Sequence, residues 1–146
     1  MPMHKRITLF GLLLASILLS ACAPISNPLS GTSWVLVNLD GNTQVGEALG
    51  GAAVTLSFTS ANEVGGSGGC NSFGGKYAVR DSTIRFTELV STLMACTGAG
   101  IGDVEAAYFA ALNSAEHYEI TLCEACPNPE KLTISGGGHT LVFEAN

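Results

Sequence analysis

Apolar and polar residues alternate along several short stretches of this chain. Alternation with period two predicts strands that bury one face and expose the other. Residues 34–39 are more uniformly apolar, which predicts a strand that is buried on both faces or lies under a lid. Because these stretches are too close in sequence for crossover connections, we expect them to pair antiparallel. The alternating apolar positions are Val54, Leu56 and Phe58, Tyr77 and Val79, Ile84 and Phe86, Tyr118, Ile120 and Leu122, Leu132 and Ile134, and Leu141 and Phe143.

One segment follows a helical period instead, with apolar residues at steps of three and four. This spacing predicts a helix of about 14 residues, and Gly102 or Asp103 is expected to cap its start. One helix lying across an antiparallel sheet makes the fold class α+β and rich in β-structure. The apolar positions of the helix are Ile101, Val104, Tyr108, Leu112 and Ala115.

The beginning of the chain has the pattern of an export signal. Two basic residues, Lys5 and Arg6, precede an apolar run over 7–19, which is shorter than the roughly 20 residues of a membrane-spanning helix. The run ends in Leu19-Ser20-Ala21-Cys22, which resembles the lipobox of bacterial lipoproteins. We therefore expect residues 1–21 to be a lipoprotein signal peptide and Cys22 to be the lipid attachment site. An ordinary secretory signal and an uncleaved anchor are the alternatives.

A polar segment with two prolines follows the expected lipidation site. Prolines and polar residues favour an extended chain, so residues 22–30 are predicted to be the lipidated N-terminus and a flexible tether. Residues 31–146 then form one domain. By resemblance to lipoprotein sorting, a residue other than Asp after Cys22 favours the outer membrane, with the domain facing the periplasm.

The charge balance excludes one class of partner. After residue 21 the chain has four basic residues against 12 acidic residues, a net charge of −8. A negative field of this size repels phosphate backbones, so the sequence predicts no nucleic-acid partner. The expected partners are the membrane, through the lipid, and an envelope protein or small ligand.

Three segments together resemble the META domain family, the HslJ-like bacterial heat-shock proteins, over residues 31–145. They are Gly31-Thr32-Ser33-Trp34, Gly69-Cys70-Asn71-Ser72-Phe73 and Thr92-Leu93-Met94-Ala95-Cys96. The resemblance implies a curved antiparallel sheet of about 7–8 strands, half-barrel-like, with one helix packed across it. It also implies a small envelope protein linked to stress or drug tolerance, without a catalytic site or a cofactor. The motif residues are Trp34, Gly69, Asn71, Phe73, Tyr77, Thr92 and Met94.

Four cysteines remain besides Cys22, and in an oxidising compartment they allow three disulfide pairings. Their places in the two family motifs favour a bond between Cys70 and Cys96. Cys123 and Cys126 lie three residues apart in an expected turn, within disulfide reach, and we expect them to form a second disulfide. Their loop is longer than is usual in the family, so its role is particular to this chain.

The sequence favours a binding or structural module over an enzyme. Ser67 lies in a Gly-x-Ser-x-Gly match, but a nucleophile elbow needs a larger domain with a parallel sheet. A glycine-rich hairpin or bulge is therefore expected there. The alternative function is a thiol–disulfide protein that uses Cys123 and Cys126. The two histidines, His117 and His139, are expected at the surface rather than as zinc ligands, and no metal site is predicted.

Overall fold

The computed structural model describes residues 27–122 and 130–146. In these residues eight antiparallel strands follow one another around a closed barrel, and each strand pairs with its sequence neighbours. No helix within the two described ranges is long and apolar enough to span a membrane. The elements are β1 (Ser33–Leu39), a 3-10 helix (Gly46–Leu49), β2 (Val54–Phe58), β3 (Glu63–Gly68), β4 (Ser72–Arg80), β5 (Thr83–Ser91), α1 (Ile101–Asn113), β6 (His117–Leu122), β7 (Glu130–Gly136) and β8 (His139–Ala145).

Closure of the sheet is a correction to the predicted half-barrel. Strand β8 pairs with β1 from Trp34↔Ala145 to Leu39↔Leu141, so the first and last strands join and close the sheet. The seam between β5 and β6 is the weakest contact, with one paired position, Thr83↔His117. Both strands begin at this pair and run away from it in opposite directions, so they do not pair further. Helix α1 packs against β5. Closure satisfies backbone groups that an open sheet would expose.

The predicted strands are confirmed, and the expected burial of both faces of β1 is wrong. Strand β1 buries Trp34, Leu36 and Leu39 but leaves Val35 and Val37 half-buried, so it alternates like the others instead of burying both faces. The glycine-rich segment forms strand β3, which pairs antiparallel with β4 across the connection 69–71, so the predicted glycine-rich hairpin is confirmed. A Cβ atom at Gly66 would collide with the Thr55 carbonyl, so glycine lets β3 approach β2 closely.

The predicted helix is confirmed, with a different start. Its apolar stripe is buried, and Tyr108 also donates a hydrogen bond from its hydroxyl to the Thr55 carbonyl at 3.1 Å. The residue before the helix is Gly100, with φ of 83°, and no side chain caps it, so neither Gly102 nor Asp103 has the predicted capping role. Phe109, which has the size of a core residue, is only partly buried, and Tyr108 occupies the centre instead.

The packed domain begins before the predicted boundary at residue 31. Leu29 is fully buried in the core. The Asn27 side-chain amide donates hydrogen bonds to the Ala61 carbonyl and to the Tyr77 hydroxyl. Residues 27–30 are therefore part of the domain rather than of a flexible tether. The predicted signal peptide and residues 22–26 lie outside the described residues.

The connections between antiparallel strands alternate between the two ends of the barrel. One end carries connections 59–62 and 81–82 and the N-terminal residues 27–32, and we name it the entry end. The other end carries connections 40–53 and 69–71 and residues 92–96, and we name it the cysteine end because it contains Cys70 and Cys96. From there α1 leads back to the start of β5, where His117 pairs with Thr83. The chain thus enters the domain at the end opposite to the family motifs that contain these cysteines.

Candidate functional site

A disulfide joins two connections at the cysteine end of the barrel. Cys70 lies between β3 and β4, Cys96 precedes α1, and their Cα atoms are 5.7 Å apart. This is the pairing favoured by the resemblance. Both cysteines are partly exposed. Cys22, Cys123 and Cys126 lie outside the described residues, so lipidation, the second disulfide and the alternative thiol function stay predictions.

Asn71, the residue after Cys70, holds the connection 92–96 in place. Its side-chain oxygen accepts hydrogen bonds from the Thr92 hydroxyl at 2.9 Å and from the Met94 amide at 2.7 Å. Its side-chain amide donates to Glu105 at 2.7 Å. Asn71 thus satisfies polar groups of two connections rather than of one turn. The side chain is 5% exposed, so its hydrogen bond to Glu105 is buried, and a low local dielectric strengthens it.

Glu105 is the functional candidate that sequence reasoning missed. It lies on the buried face of α1 with 8% of its surface exposed. Its carboxylate accepts hydrogen bonds from the Asn71 backbone amide at 2.6 Å and from the Asn71 side chain. A Cβ atom at Gly68 would lie 2.5 Å from a Glu105 carboxylate oxygen, so glycine makes the space for this group. The available signal was the position of Glu105 between the stripe residues Val104 and Tyr108.

The segment held by Asn71 and the disulfide presents apolar side chains to solvent. Leu93 is 96% exposed and Met94 is 60% exposed, and Val90, near the end of β5, is 71% exposed. We name these three residues the apolar loop surface. Exposed apolar side chains on a restrained segment are typical of contact sites, because binding costs little conformational entropy.

A small cavity lies next to the apolar loop surface. Its volume is about 210 Å³, and Phe73, Leu89, Val90 and Phe109 form its apolar wall. Phe73 and Phe109 pack edge to face with ring centroids 5.4 Å apart. A larger depression of about 440 Å³ lies at the β5–β6 seam, where Arg80, Arg85 and Glu116 place both charge signs together.

The motif residues divide into two groups. Gly69, Asn71, Thr92 and Met94 converge around the disulfide at the cysteine end. Trp34, Phe73 and Tyr77 are buried in the barrel core. The sequence singled out both groups without distinguishing them. Only the first group holds a surface in a defined shape, and the second supports the fold beneath it.

The residues considered for other chemistry have local structural roles. Ser67 lies within β3, and its hydroxyl accepts a hydrogen bond from the Gly69 amide at 3.1 Å. His117 and His139 start strands β6 and β8 near the surface, as predicted. His139 Nδ1 lies 2.7 Å from the Asp40 carboxylate, which also accepts from the Thr140 amide. These two hydrogen bonds lower the pKa of Asp40 below its ordinary value.

Comparison with known proteins supports the extent of the domain and its fold. The META domain family model matches residues 27–146, which also places the start of the domain at Asn27. An NMR structure of a protein from Burkholderia xenovorans is similar, with 32% identity, a TM-score of 0.66 and coverage of 81% of this chain and 83% of that one. A second NMR structure has 21% identity, a TM-score of 0.58 and coverage of 80% and 90%, and so it supports the fold alone. No curated protein matches the chain.

Proposed function

The chain belongs to the META domain family, and we propose that it is a non-catalytic, lipid-anchored binding domain of the bacterial cell envelope. Its contact site is the apolar loop surface. The observation that carries the proposal is that Leu93 and Met94 are exposed to solvent while hydrogen bonds and a disulfide hold their segment. An apolar surface kept in a fixed shape is suited to binding another protein.

The position of the apolar loop surface relative to the expected anchor supports a protein partner. The chain enters the domain at the entry end, whereas Leu93 and Met94 lie at the cysteine end. A domain anchored through Cys22 would therefore direct this surface away from the bilayer that holds the lipid. This arrangement supports an envelope protein, rather than the anchoring membrane, as the proposed partner.

The envelope location depends on lipidation at Cys22. The motivation is the lipobox over residues 19–22, and the expected site is the outer membrane, facing the periplasm. Cys22→Ser should leave an unprocessed precursor that carries no acyl label, because the thiol is the alkylated atom. Normal maturation and labelling of this variant would contradict the lipoprotein assignment. A role in envelope stress or drug tolerance is part of the same proposal, and the resemblance to the family supports it.

Site-specific crosslinking in cells tests the contact surface. A photoreactive residue at position 93 should give a discrete crosslink to one envelope protein. Leu122, at the entry end, is a matched control because it is also an exposed leucine, at 69%. A crosslink of the same product and yield at position 122 would contradict a specific surface.

A double variant that lacks the apolar side chains completes the test of the contact surface. Leu93→Ser with Met94→Ser removes the apolar side chains but keeps the backbone amide of residue 94, which Asn71 binds. We expect this double variant to lose the crosslinked partner when the photoreactive residue is placed at position 90 instead. The free energy of unfolding should change little, because both side chains are exposed. Unchanged capture by the double variant would exclude Leu93 and Met94 from the interface.

A further inference from the structure

Four potential metal ligands lie close together beside the disulfide. One ligand atom each from Cys70, Cys96 and Glu105 fits within a group whose members are all within 4.8 Å of one another. The Met94 carbonyl oxygen lies 3.9 Å from the Cys70 sulfur and 4.0 Å from the Cys96 sulfur. A Glu105 carboxylate oxygen lies 3.8 Å from the Cys96 sulfur. Neighbouring sulfur ligands of tetrahedral zinc are separated by about 3.8 Å, since Zn–S bonds are about 2.3 Å long. Several distances of the cluster therefore already approach the edges of a tetrahedron.

The charge of Glu105 is not matched by a cation in the described ranges. No lysine, arginine or histidine there lies within 4.0 Å of this buried carboxylate. Asn71 orients it, by donating from its backbone and its side chain. A hydrogen-bonded neighbour that fixes a ligating carboxylate is a regular part of metal sites. The arrangement thus contains a carboxylate already oriented beside two sulfur atoms.

We propose that reduction of the Cys70–Cys96 disulfide converts this cluster into a zinc site. A dithiol reductant gives two electrons and two protons to the disulfide and is itself oxidised to a disulfide, leaving two thiols. Zn²⁺ then displaces both thiol protons to solvent and binds the thiolates of Cys70 and Cys96 and the Glu105 carboxylate. The Met94 carbonyl or a water molecule occupies the fourth position. Two thiolates with one carboxylate favour Zn²⁺ over the harder Mg²⁺ and Ca²⁺.

The local structure supports both oxidation states. A Cα–Cα distance of 5.7 Å fits the disulfide, and side-chain rotation alone can separate the sulfurs to the spacing that zinc requires. Both cysteines are partly exposed, which gives a reductant and the metal access to them. The proposal does not depend on the apolar loop surface being a binding site, because the zinc ligands are different side chains.

Zinc binding to the full processed chain in detergent tests the proposal. Cys123→Ser and Cys126→Ser are introduced first, so that thiols outside the cluster do not bind metal. The probe is Zn²⁺ in competition with a chromophoric chelator, with a thiol count before and after reduction. We expect no bound zinc in the oxidised chain and one zinc per chain after reduction, with two thiols protected from alkylation.

Two further variants separate a built site from simple thiol chelation. Glu105→Gln should weaken zinc binding by the reduced chain at least about tenfold. Asp103→Asn is the matched control, an exposed carboxylate two residues away on the same helix, and should leave the affinity unchanged. Cys70→Ser is a second, independent test in case Glu105→Gln alters the fold. This variant should bind no zinc. Absence of zinc from the reduced chain, or equal affinity of the Glu105→Gln and Asp103→Asn variants, would overturn the proposal.

Discussion

Replacing Asn71 with alanine should uncouple the two connections that shape the cysteine end. The change removes the acceptor for the Thr92 hydroxyl and the Met94 amide, and one of the two donors to Glu105. A neutral hydrogen bond contributes about 0.5–1.5 kcal/mol, and a bond to a charged group about 1.5–3 kcal/mol. Because Glu105 stays buried with fewer donors, we expect Asn71→Ala to lower the free energy of unfolding by about 3–5 kcal/mol.

Urea unfolding at constant pH, followed by tryptophan fluorescence, measures this loss of free energy. Trp34 is the single tryptophan of the chain and is buried in the core. Amide hydrogen exchange at Met94 should accelerate in the same variant, because its acceptor is gone. Asn113→Ala is the matched control, since the Asn113 side chain is exposed and donates only to the Phe109 carbonyl of its own helix. The control should cost less than about 1 kcal/mol.

A second variant at the same position separates charge from shape. Asn71→Asp keeps an oxygen for Thr92 and Met94 but places a second carboxylate beside Glu105. Like charges in a buried site repel, so this variant should be less stable at neutral pH than at mildly acidic pH, where one carboxyl binds a proton. A loss below about 1 kcal/mol for Asn71→Ala, or an Asn71→Asp variant without pH dependence, would refute the assigned role of the network.

The remaining predictions concern the core, the disulfide and the acid stability. Leu112 is fully buried, so Leu112→Ala should cost about 2–5 kcal/mol in urea unfolding, and a cost below about 0.5 kcal/mol would contradict its core position. Cys70→Ala with Cys96→Ala opens a ring that spans a sequence separation of 26 and should cost about 2–4 kcal/mol; non-reducing peptide mapping of the wild type should show this crosslink and no other involving Cys70. The pKa of Asp40 is lowered by His139, so its stabilising effect exists above the unfolded-state pKa and disappears as the pH falls through the folded-state pKa. Asp40→Asn should therefore reduce stability at about pH 6 more than at about pH 2, and an equal reduction at both would contradict the hydrogen-bonded carboxylate.

The sequence determined the identity of most elements because burial of one face leaves a period in the chain. Val54, Leu56 and Phe58 predicted a strand by alternation, and the stripe through Tyr108 and Leu112 predicted the helix. Alternation did not predict strand β3, because four of its six residues are glycine or serine and give no apolar period. The disulfide was favoured by a family motif, since spacing alone left three pairings open.

Only the tertiary structure decided closure, the domain boundary and the site. Closure depends on the register between β8 and β1, which joins residues from opposite ends of the chain and leaves no local pattern. Leu29 looks like part of a proline-containing tether until the barrel supplies the core that buries it. Glu105 looks like one more solvent-exposed acid until Asn71, 34 residues earlier, donates two hydrogen bonds to its carboxylate. The period of apolar residues is visible in neighbouring positions of the sequence. The partners of buried polar groups come from distant segments that only folding brings together.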